Sequence, residues 1–401
     1  MHYDVTAVRA HFPALDEGAA HFDGPGGSQV PEEVADAVAG ALRSALSNRG
    51  TTTAAERRAD GIVVAAREAA ADLLGADPRG IVFGRSATQL VQDFARTLAK
   101  TWGPGDEVVV TRLDHDANIR PWVLAAQAAG ATVRWADFDA ATGVLDVSHV
   151  AAQLSGRTRL VAVTGASNLL GTRPDVAQIA RVVHDAGALL HVDGVHLTPH
   201  AHVDVAELGA DLFVCSPYKF LGPHLGLTAA APALLETLEP DKLLPSTNAV
   251  PERFELGTLP YELLAGTTAA VDFLAGLVPG SGSRRERLRT SFEALDEHEA
   301  GLRDRLEAGL RAIDGVVLHG APDRPRTPTV LFSVDGVAPD EVRRQLARIG
   351  VNAPAGHFYA LECSRWAGLG DTGAVRAGIA PYTNESDVDR LLDGVARTAR
   401  P

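Results

Sequence analysis

The 401-residue chain is 46% apolar and 22% charged, with 39 glycines, a balance that excludes a disordered polymer and suits one large α/β unit with a smaller one attached. Its 37 basic and 51 acidic residues give a net charge of −14, and no dense Lys/Arg block breaks that acidity, so no nucleic-acid partner is expected. No stretch approaches the roughly 20 apolar residues of a membrane span, and the opening MHYDVTAVRAHFPALDEG lacks the basic flank and apolar core of a signal peptide. The two cysteines, Cys215 and Cys363, form no C-x-x-C pair. No metal, no membrane and a reducing cytoplasm are therefore expected.

In chain order, short apolar runs alternate with helical stretches from about residue 70 to 230. The runs are GIVFG (80–84), EVVVT (107–111), TVRWAD (132–137), RLVAVTG (159–165), ALLHVD (188–193), DLFVCS (211–216) and GLTAAA (226–231). Amphipathic, Ala-rich segments separate them, at Thr88 to Lys100, Pro121 to Ala129 and Asp175 to Ala186. This alternation predicts a mostly parallel sheet covered by helices on both faces. Ligands of such sheets bind beyond the carboxyl ends of the strands. The composition shifts at GLVPGSGSRRER (276–287), ahead of a long helix over Glu286 to Ile313. The strand candidates VVLHG and TVLFSV follow, then a helix at Pro339 to Ile349, RAGIAPY, and a closing helix from Glu385. The expected organisation is an arm at 1–20, a large domain at 21–275, and a small α+β domain at 286–401 with which the arm associates.

Only three lysines occur, Lys100, Lys219 and Lys242, in a chain rich in arginine. Arginine cannot deprotonate usefully, whereas a desolvated lysine becomes a free amine able to form a Schiff base. Lys100 ends a helical run and Lys242 lies in a polar connection, but Lys219 follows the apolar run DLFVCS directly. Asp193 closes the run ALLHVD, so an acid and a scarce lysine fall at carboxyl ends of strands in one sheet. Singly, Asp193 reads as a loop cap and Lys219 as a solvated side chain. Together they meet the needs of pyridoxal phosphate: a carboxylate for the pyridine nitrogen and an amine for the aldehyde.

A phosphate site is offered by GRSATQL (84–90), where Ser86, Ala87 and Thr88 open a helix with backbone N–H groups and two hydroxyls. The same residues also suit an ordinary helix cap. DGPGGSQVP (23–31) is glycine-rich but lacks the G-x-G-x-x-G spacing, and no P-loop lysine is present. His115, in DHDANIRPW, could stack on a planar cofactor and move protons. Asn168 in ASNLLGT is a neutral donor, His196 follows Asp193 by three residues, and Arg376 could grip a carboxylate with its fork.

In this order the segments resemble the class V aminotransferase family of fold-type I pyridoxal-phosphate enzymes, in its cysteine desulfurase-like and selenocysteine lyase-like branch. The resemblance runs from HFDGPGGSQVP to the closing helix. DHDANIRPW is similar to E-H-x-A-N-x-x-P-W, SNLLGT to S-N-x-x-G-T, VDGVH to V-D-x-x-Q/H, SPYKFLGP to S-x-H-K-x-x-G-P, FELGT to F-E-x-G-T and VRAG to R-x-S/G. The resemblance implies a seven-stranded, mostly parallel sheet between helices, with His115 over the cofactor ring and Asn168 near cofactor and substrate. It implies Asp193 on the pyridine nitrogen, His196 by the ring oxygen, Lys219 as the Schiff-base lysine, and Ser216 and Tyr218 near the phosphate. Arg376 would hold the substrate carboxylate. Thr258 would reach the phosphate of a neighbouring subunit, which implies a homodimer with shared active sites.

One departure bears on the chemistry. Where the family's desulfurases resemble R-x-G-H-H-C-A, this chain reads APAGHFYA (353–360), so that Tyr359 takes the cysteine's place and Pro354 the arginine's. His357 and Tyr359 are expected on the substrate side. Cys363 stands four residues on, in a helical reading, about 5.4 Å away along the axis. The leading expectation is an enzyme acting on an L-amino acid through a Lys219 aldimine, by C–S cleavage or β-elimination without persulfide relay. The alternatives are an aminotransferase, epimerase or β-decarboxylase on a small amino acid, a cysteine desulfurase using Cys363, and a non-catalytic protein on an enzyme scaffold.

Overall fold

The computed structural model describes residues 3–320 and 324–399. The seven apolar runs all form strands of a single sheet, ordered Ile81–Gly84, Gly226–Ala230, Leu212–Cys215, Leu189–Asp193, Thr158–Thr164, Glu107–Thr111 and Thr132–Ala136. Every pairing is parallel except those of Gly226–Ala230, which runs against both its neighbours. Alternate residues on one strand serve opposite faces, as the pleat requires. Val109, Val161, Val163, Leu190, Val192 and Phe213 pack into one apolar cluster, while Val108, Val110, Leu160, Ala162, Leu212 and Val214 pack into another. The first cluster includes side chains of helices Ala54–Leu74, Val176–Asp185 and Tyr261–Ala275. The second includes those of Ala87–Ala99 and Arg120–Ala129.

The 28-residue helix Arg284–Arg311 starts in a capping box, Ser283 with Glu286, and joins the two halves of the molecule. Its Leu288, Phe292 and Leu295 pack with the large sheet, and its Leu302, Leu306 and Leu310 with a second core. That second core backs a four-stranded antiparallel sheet ordered Ala355–Gly356, Ala374–Gly378, Thr329–Val334 and Val316–His319. The amino-terminal Ala20 and Phe22 lie in the same core, where Ala20–His21 pairs in parallel with Val351–Asn352.

Three of the longer helices lie outside the segments that periodicity picks out, Glu32–Arg43, Ala54–Leu74 and Tyr261–Ala275, as do short ones such as Val147–Ala151 and Pro232–Thr237. The buried stripe of Ala54–Leu74 is largely alanine, which contrasts weakly with its polar face. Tyr261–Ala275 packs against the other two and is apolar nearly all round, so it shows little periodicity. Among the described residues no helix is long and apolar enough to cross a membrane.

Candidate active site

The carboxyl ends of the parallel strands open into a cavity of about 700 Å³. Asp193 is the last residue of its strand, and Lys219 lies in the short turn Pro217–Lys219 that follows the adjacent strand. Ser86, Ala87, Thr88, His115, Asn168, His196, Ser216, Tyr218, Tyr359 and Arg376 join these two in lining the cavity.

Burial drives the electrostatics. Asp193 is 7% exposed, and desolvation pushes its carboxyl up to about 6 while the neighbouring Lys219 pulls the other way. Its Oδ1 accepts the Val195 N–H at 2.9 Å. Desolvation and then the Arg376 charge lower the Lys219 ammonium to about 7, with Asp193 opposing. The Lys219 amine donates to the Pro25 carbonyl and stands 4.8 Å from the Tyr218 ring centroid. Tyr218 in turn stacks on His224 at 4.7 Å. His115 Nδ1 accepts the Ala117 N–H at 3.0 Å, so the proton of a neutral ring sits on Nε2. Burial first, then Lys219 and Arg376, lower its pKa to about 4, which keeps the imidazole neutral at pH 7.

The amino end of helix Ala87–Ala99 is brought to the cavity by a close approach. Ser86 caps it, accepting from Gln89 at 3.1 Å. A Cβ on Gly226 would fall 2.2 Å from the Ser86 carbonyl carbon and 2.4 Å from the Ala87 nitrogen, so only glycine lets that strand and helix meet. Arg376 arrives from the four-stranded sheet. Its Nη1 donates to the Asn168 carbonyl at 2.7 Å, its Nε is buried without a partner, and its guanidinium carbon lies 3.7 Å from the Phe358 ring centroid. Burial lowers it to about 9.

Phe358 and Tyr359 both adopt left-handed backbone, with φ of 50° and 58°. Two bonds fix them there: Asn168 Nδ2 donates to the Phe358 carbonyl at 2.9 Å, and the Asp116 N–H to the Tyr359 carbonyl at 2.8 Å. The Tyr359 ring, 72% exposed, stacks on His115 at 5.5 Å. His196 Nε2 lies 3.0 Å from the hydroxyls of both Thr327 and Thr329. Desolvation holds that ring well below the usual histidine range.

Two of the residues singled out in the sequence do not line the cavity. His357 stands aside while Phe358 takes the wall, and Thr258 lines a separate cavity of about 270 Å³ with Arg85 and His224. Conversely, Pro25, Gly26, Gln92, Asp116, Arg120 and Phe358 line the main cavity without having been singled out. Pro25 and Gly26 lie in DGPGGSQ, which lacks the G-x-G-x-x-G spacing, and Asp116 and Arg120 fall at variable positions of the E-H-x-A-N-x-x-P-W pattern, so neither pair carries a signal of its own. Cys363 is wholly buried in helix Leu361–Trp366, where desolvation raises its thiol to about 12. Cys215 is equally buried and its thiol is likewise raised.

The donor set fits pyridoxal phosphate. Lys219 offers an amine of lowered basicity, Asp193 an anionic oxygen, and the start of helix Ala87–Ala99 free N–H groups. Asn168 Oδ1, His196 Nδ1 and Arg376 Nε are buried polar atoms of cavity-lining residues that lack hydrogen-bond partners among the described residues.

Comparison with known proteins agrees. The profile of the family Aminotransferase class-V matches residues 20–391. An uncharacterized protein of Mycobacterium tuberculosis is 36% identical over 99% of each chain, and an aminotransferase-like protein of Gibberella zeae 33% identical over 97% of each. A probable cysteine desulfurase of Halalkalibacterium halodurans is 30% identical over 98% of this chain and 97% of its own. Among solved structures, the cysteine desulfurase CsdA (S-sulfonic acid) of Escherichia coli superposes with a TM-score of 0.86 at 28% identity, covering 98% of both chains. The fold is thus that of the fold-type I, pyridoxal-phosphate-dependent enzymes. The chain belongs to the class V aminotransferase family, in its cysteine desulfurase-like branch.

Proposed function

We propose that this chain is a pyridoxal-phosphate-dependent C–S lyase, which cleaves the Cβ–S bond of a small L-amino acid by β-elimination and passes no sulfur to a cysteine of its own. One observation carries the reading: both thiols are wholly buried, and Tyr359 lines the cavity at the position that the family resemblance gives to a persulfide cysteine. A phenol cannot carry sulfane sulfur, and a thiol raised to about 12 is a poor nucleophile at neutral pH.

Pyridoxal phosphate, when bound, supplies the electron-withdrawing ring that makes the substrate Cα proton removable. Ser86, Ala87, Thr88, Ser216 and Tyr218 would hold its phosphate, Asp193 would keep a proton on its ring nitrogen, and His196 would face its ring oxygen. Lys219 would hold the aldehyde and, once released by the substrate amine, take the Cα proton at Nζ. A pKa near 7 suits that amine to exchange protons at neutral pH. Arg376, desolvated and stacked on Phe358, would bind the substrate carboxylate with Asn168. His115 Nε2 is the donor placed to protonate the departing sulfur. Residues 21–275 form the cofactor-holding domain in this reading, and 286–401 with the arm bring Arg376 to it. Thr258, outside its own chain's cavity, serves a second copy of the chain, so the working unit is a homodimer.

The test is turnover of L-cysteine by the wild type and by Cys363→Ser. Equal release of pyruvate and sulfide by both proteins is expected, with the cofactor's visible band restored after each cycle. Loss of turnover in Cys363→Ser would make Cys363 the sulfur acceptor. Permanent conversion to the amine form, reversed only by a keto acid, would make the protein an aminotransferase.

A further inference from the structure

The loop that carries Phe358 and Tyr359 is held from outside the cavity. Consecutive L residues in left-handed backbone, with φ of 50° and 58°, persist only where neighbouring structure fixes them. Their carbonyls accept from Asn168 and Asp116, and the chain then enters helix Leu361–Trp366, which at six residues is too short to stand alone. The residue that ties this helix to the large sheet is Arg112, which directly follows strand Glu107–Thr111. Its guanidinium carbon stands 4.9 Å from the Trp135 ring centroid and 5.0 Å from that of Trp366. Its Nε donates to Asp137 Oδ1 at 2.7 Å and its Nη1 to Glu362 Oε2 at 2.8 Å. Trp366 Nε1 adds a bond to the Phe138 carbonyl at 2.7 Å. Trp135, Asp137 and Phe138 belong to the edge strand Thr132–Ala136 and its exit, and Glu362 and Trp366 to the helix. One cation, its side chain 26% exposed, thus meets an indole and a carboxylate from each side of the contact.

We propose that Arg112 is the positioning residue of the cavity wall: it docks helix Leu361–Trp366 on the edge of the large sheet and so holds Phe358 against Arg376 and Tyr359 against His115. A planar guanidinium suits the task, since it stacks on rings by its faces while its edge donates to two carboxylates, and an ammonium cannot do both. Each contact is modest alone. Converging on one side chain, they are lost together when it is removed. The docking is independent of the bond the enzyme breaks, and only its effect on KM rests on the lyase reading, through the place of Arg376 on the substrate carboxylate.

The two buried thiols report the docking separately from turnover. Cys363 is buried on the helix itself, and Cys215 in strand Leu212–Cys215 of the large sheet. Release of the helix exposes Cys363 alone, whereas a general loosening exposes both.

The test follows the reaction of each thiol with dithiodipyridine in the substrate-free holoenzyme, assigned by peptide mapping. In Arg112→Gln, Cys363 should react roughly tenfold faster or more, with Cys215 unchanged. Arg112→Lys, which keeps the cation without the fork, should recover part of the slow reaction. Trp366→Leu breaks the contact from the helix side and should repeat the effect on Cys363, so the inference stays testable if Arg112→Gln does not fold. A helix docked for only part of the time raises KM by the inverse of that fraction, while saturating substrate restores the docked state. KM of Arg112→Gln for L-cysteine should therefore rise about threefold or more with kcat within about twofold of wild type. Equal acceleration of both thiols, no acceleration of Cys363 in either variant, or faster labelling of Cys363 with KM unmoved overturns the inference. Absence of turnover by the wild type, with Cys363 alone accelerated in Arg112→Gln, overturns the lyase reading and supports the docking role.

Discussion

Phe358→Ala tests whether the aromatic wall sets up the carboxylate site. The ring covers the Arg376 guanidinium at 3.7 Å, and among the described residues the cation donates one side-chain hydrogen bond, from Nη1 to the Asn168 carbonyl. A desolvated cation–π contact contributes about 2 kcal/mol, and 1.4 kcal/mol is tenfold in affinity. Removing the ring admits water to Arg376 and frees its orientation. The substrate carboxylate should therefore bind about 5- to 30-fold more weakly. Because that carboxylate is held alike in ground and transition states, the loss should appear in KM, with kcat changed by no more than about twofold. Steady-state kinetics on L-cysteine measure this, with Phe358→Tyr as the control that keeps the ring. The backbone at 358 has φ of 50° whichever L residue stands there, so Ala adds no strain of its own. An unchanged KM, or a collapse of kcat at constant KM, would refute the assignment of Arg376 and its aromatic cover.

Other outcomes follow from burial. Asp114 is fully buried, accepts from Thr111 and from Asn118 Nδ2 at 2.7 Å, and is raised to about 8 chiefly by desolvation. A carboxyl that holds its proton more tightly when folded contributes stability below its unfolded pKa and loses it as pH rises toward 8; Asp114→Asn should therefore raise the thermal midpoint at pH 8 relative to wild type and leave it nearly unchanged at pH 4. Lys219 shows the opposite sign, binding its proton more weakly when folded, so its contribution to cofactor-free stability grows as pH climbs from about 7 towards its ordinary 10.5. In the cofactor-free chain the acylation rate of Lys219, followed by peptide mapping, should rise through about pH 7, and a rise confined to pH above 10 would contradict the burial argument. Gly226→Ala drives a methyl into the Ser86–Ala87 backbone, with an expected loss of about 1–3 kcal/mol of stability and a more than tenfold weaker hold on pyridoxal phosphate; unaltered cofactor titration would show that the helix start is not the phosphate cradle.

The large sheet is legible because most of its strands are short apolar runs buried on both faces, the partly exposed edge strand Thr132–Ala136 being an exception, and the strand ends agree with the sequence reading to within about a residue. The alanine-striped helix Ala54–Leu74 and the apolar Tyr261–Ala275 are not, since their burial comes from packing on each other and leaves little periodic contrast. Lys219 stood out through the scarcity of lysine, and Asp193 through its place at a strand end. Phe358 and Pro25–Gly26 had no such mark, because what makes them matter is placement across the fold: Phe358 against Arg376 and Asn168, Pro25 against Lys219, and Gly26 where a Cβ would come within 3.7 Å of Arg376 Nη2. Thr258 shows the same limit from the other side, since the role proposed for it in a second subunit would leave no signal within its own chain's cavity.

The division between legible and illegible residues follows a division of labour in the fold. Ser86, His115, Asn168, Asp193 and Ser216 each follow or end one of five strands that point the same way, so the topology delivers them to one edge without any further instruction. The one strand that runs against the rest begins at that edge, which is why its first residue, Gly226, meets the Ser86 helix start. In the proposed reading the sheet therefore holds what every substrate shares, the cofactor and the Cα proton. The far wall comes from elsewhere: the loop carrying Phe358 and Tyr359, Arg376 of the small sheet, and the Asp116–Arg120 pair that the Tyr359 carbonyl ties to that loop. Apart from Arg376, those positions lie on loops and helix starts and can change without disturbing a strand, so the choice of bond and leaving group should track them rather than the sheet. A Tyr359→Cys exchange alone is accordingly expected not to install sulfur relay, because Phe358, Arg376 and the Asp116–Arg120 pair would still form the wall beside the new thiol.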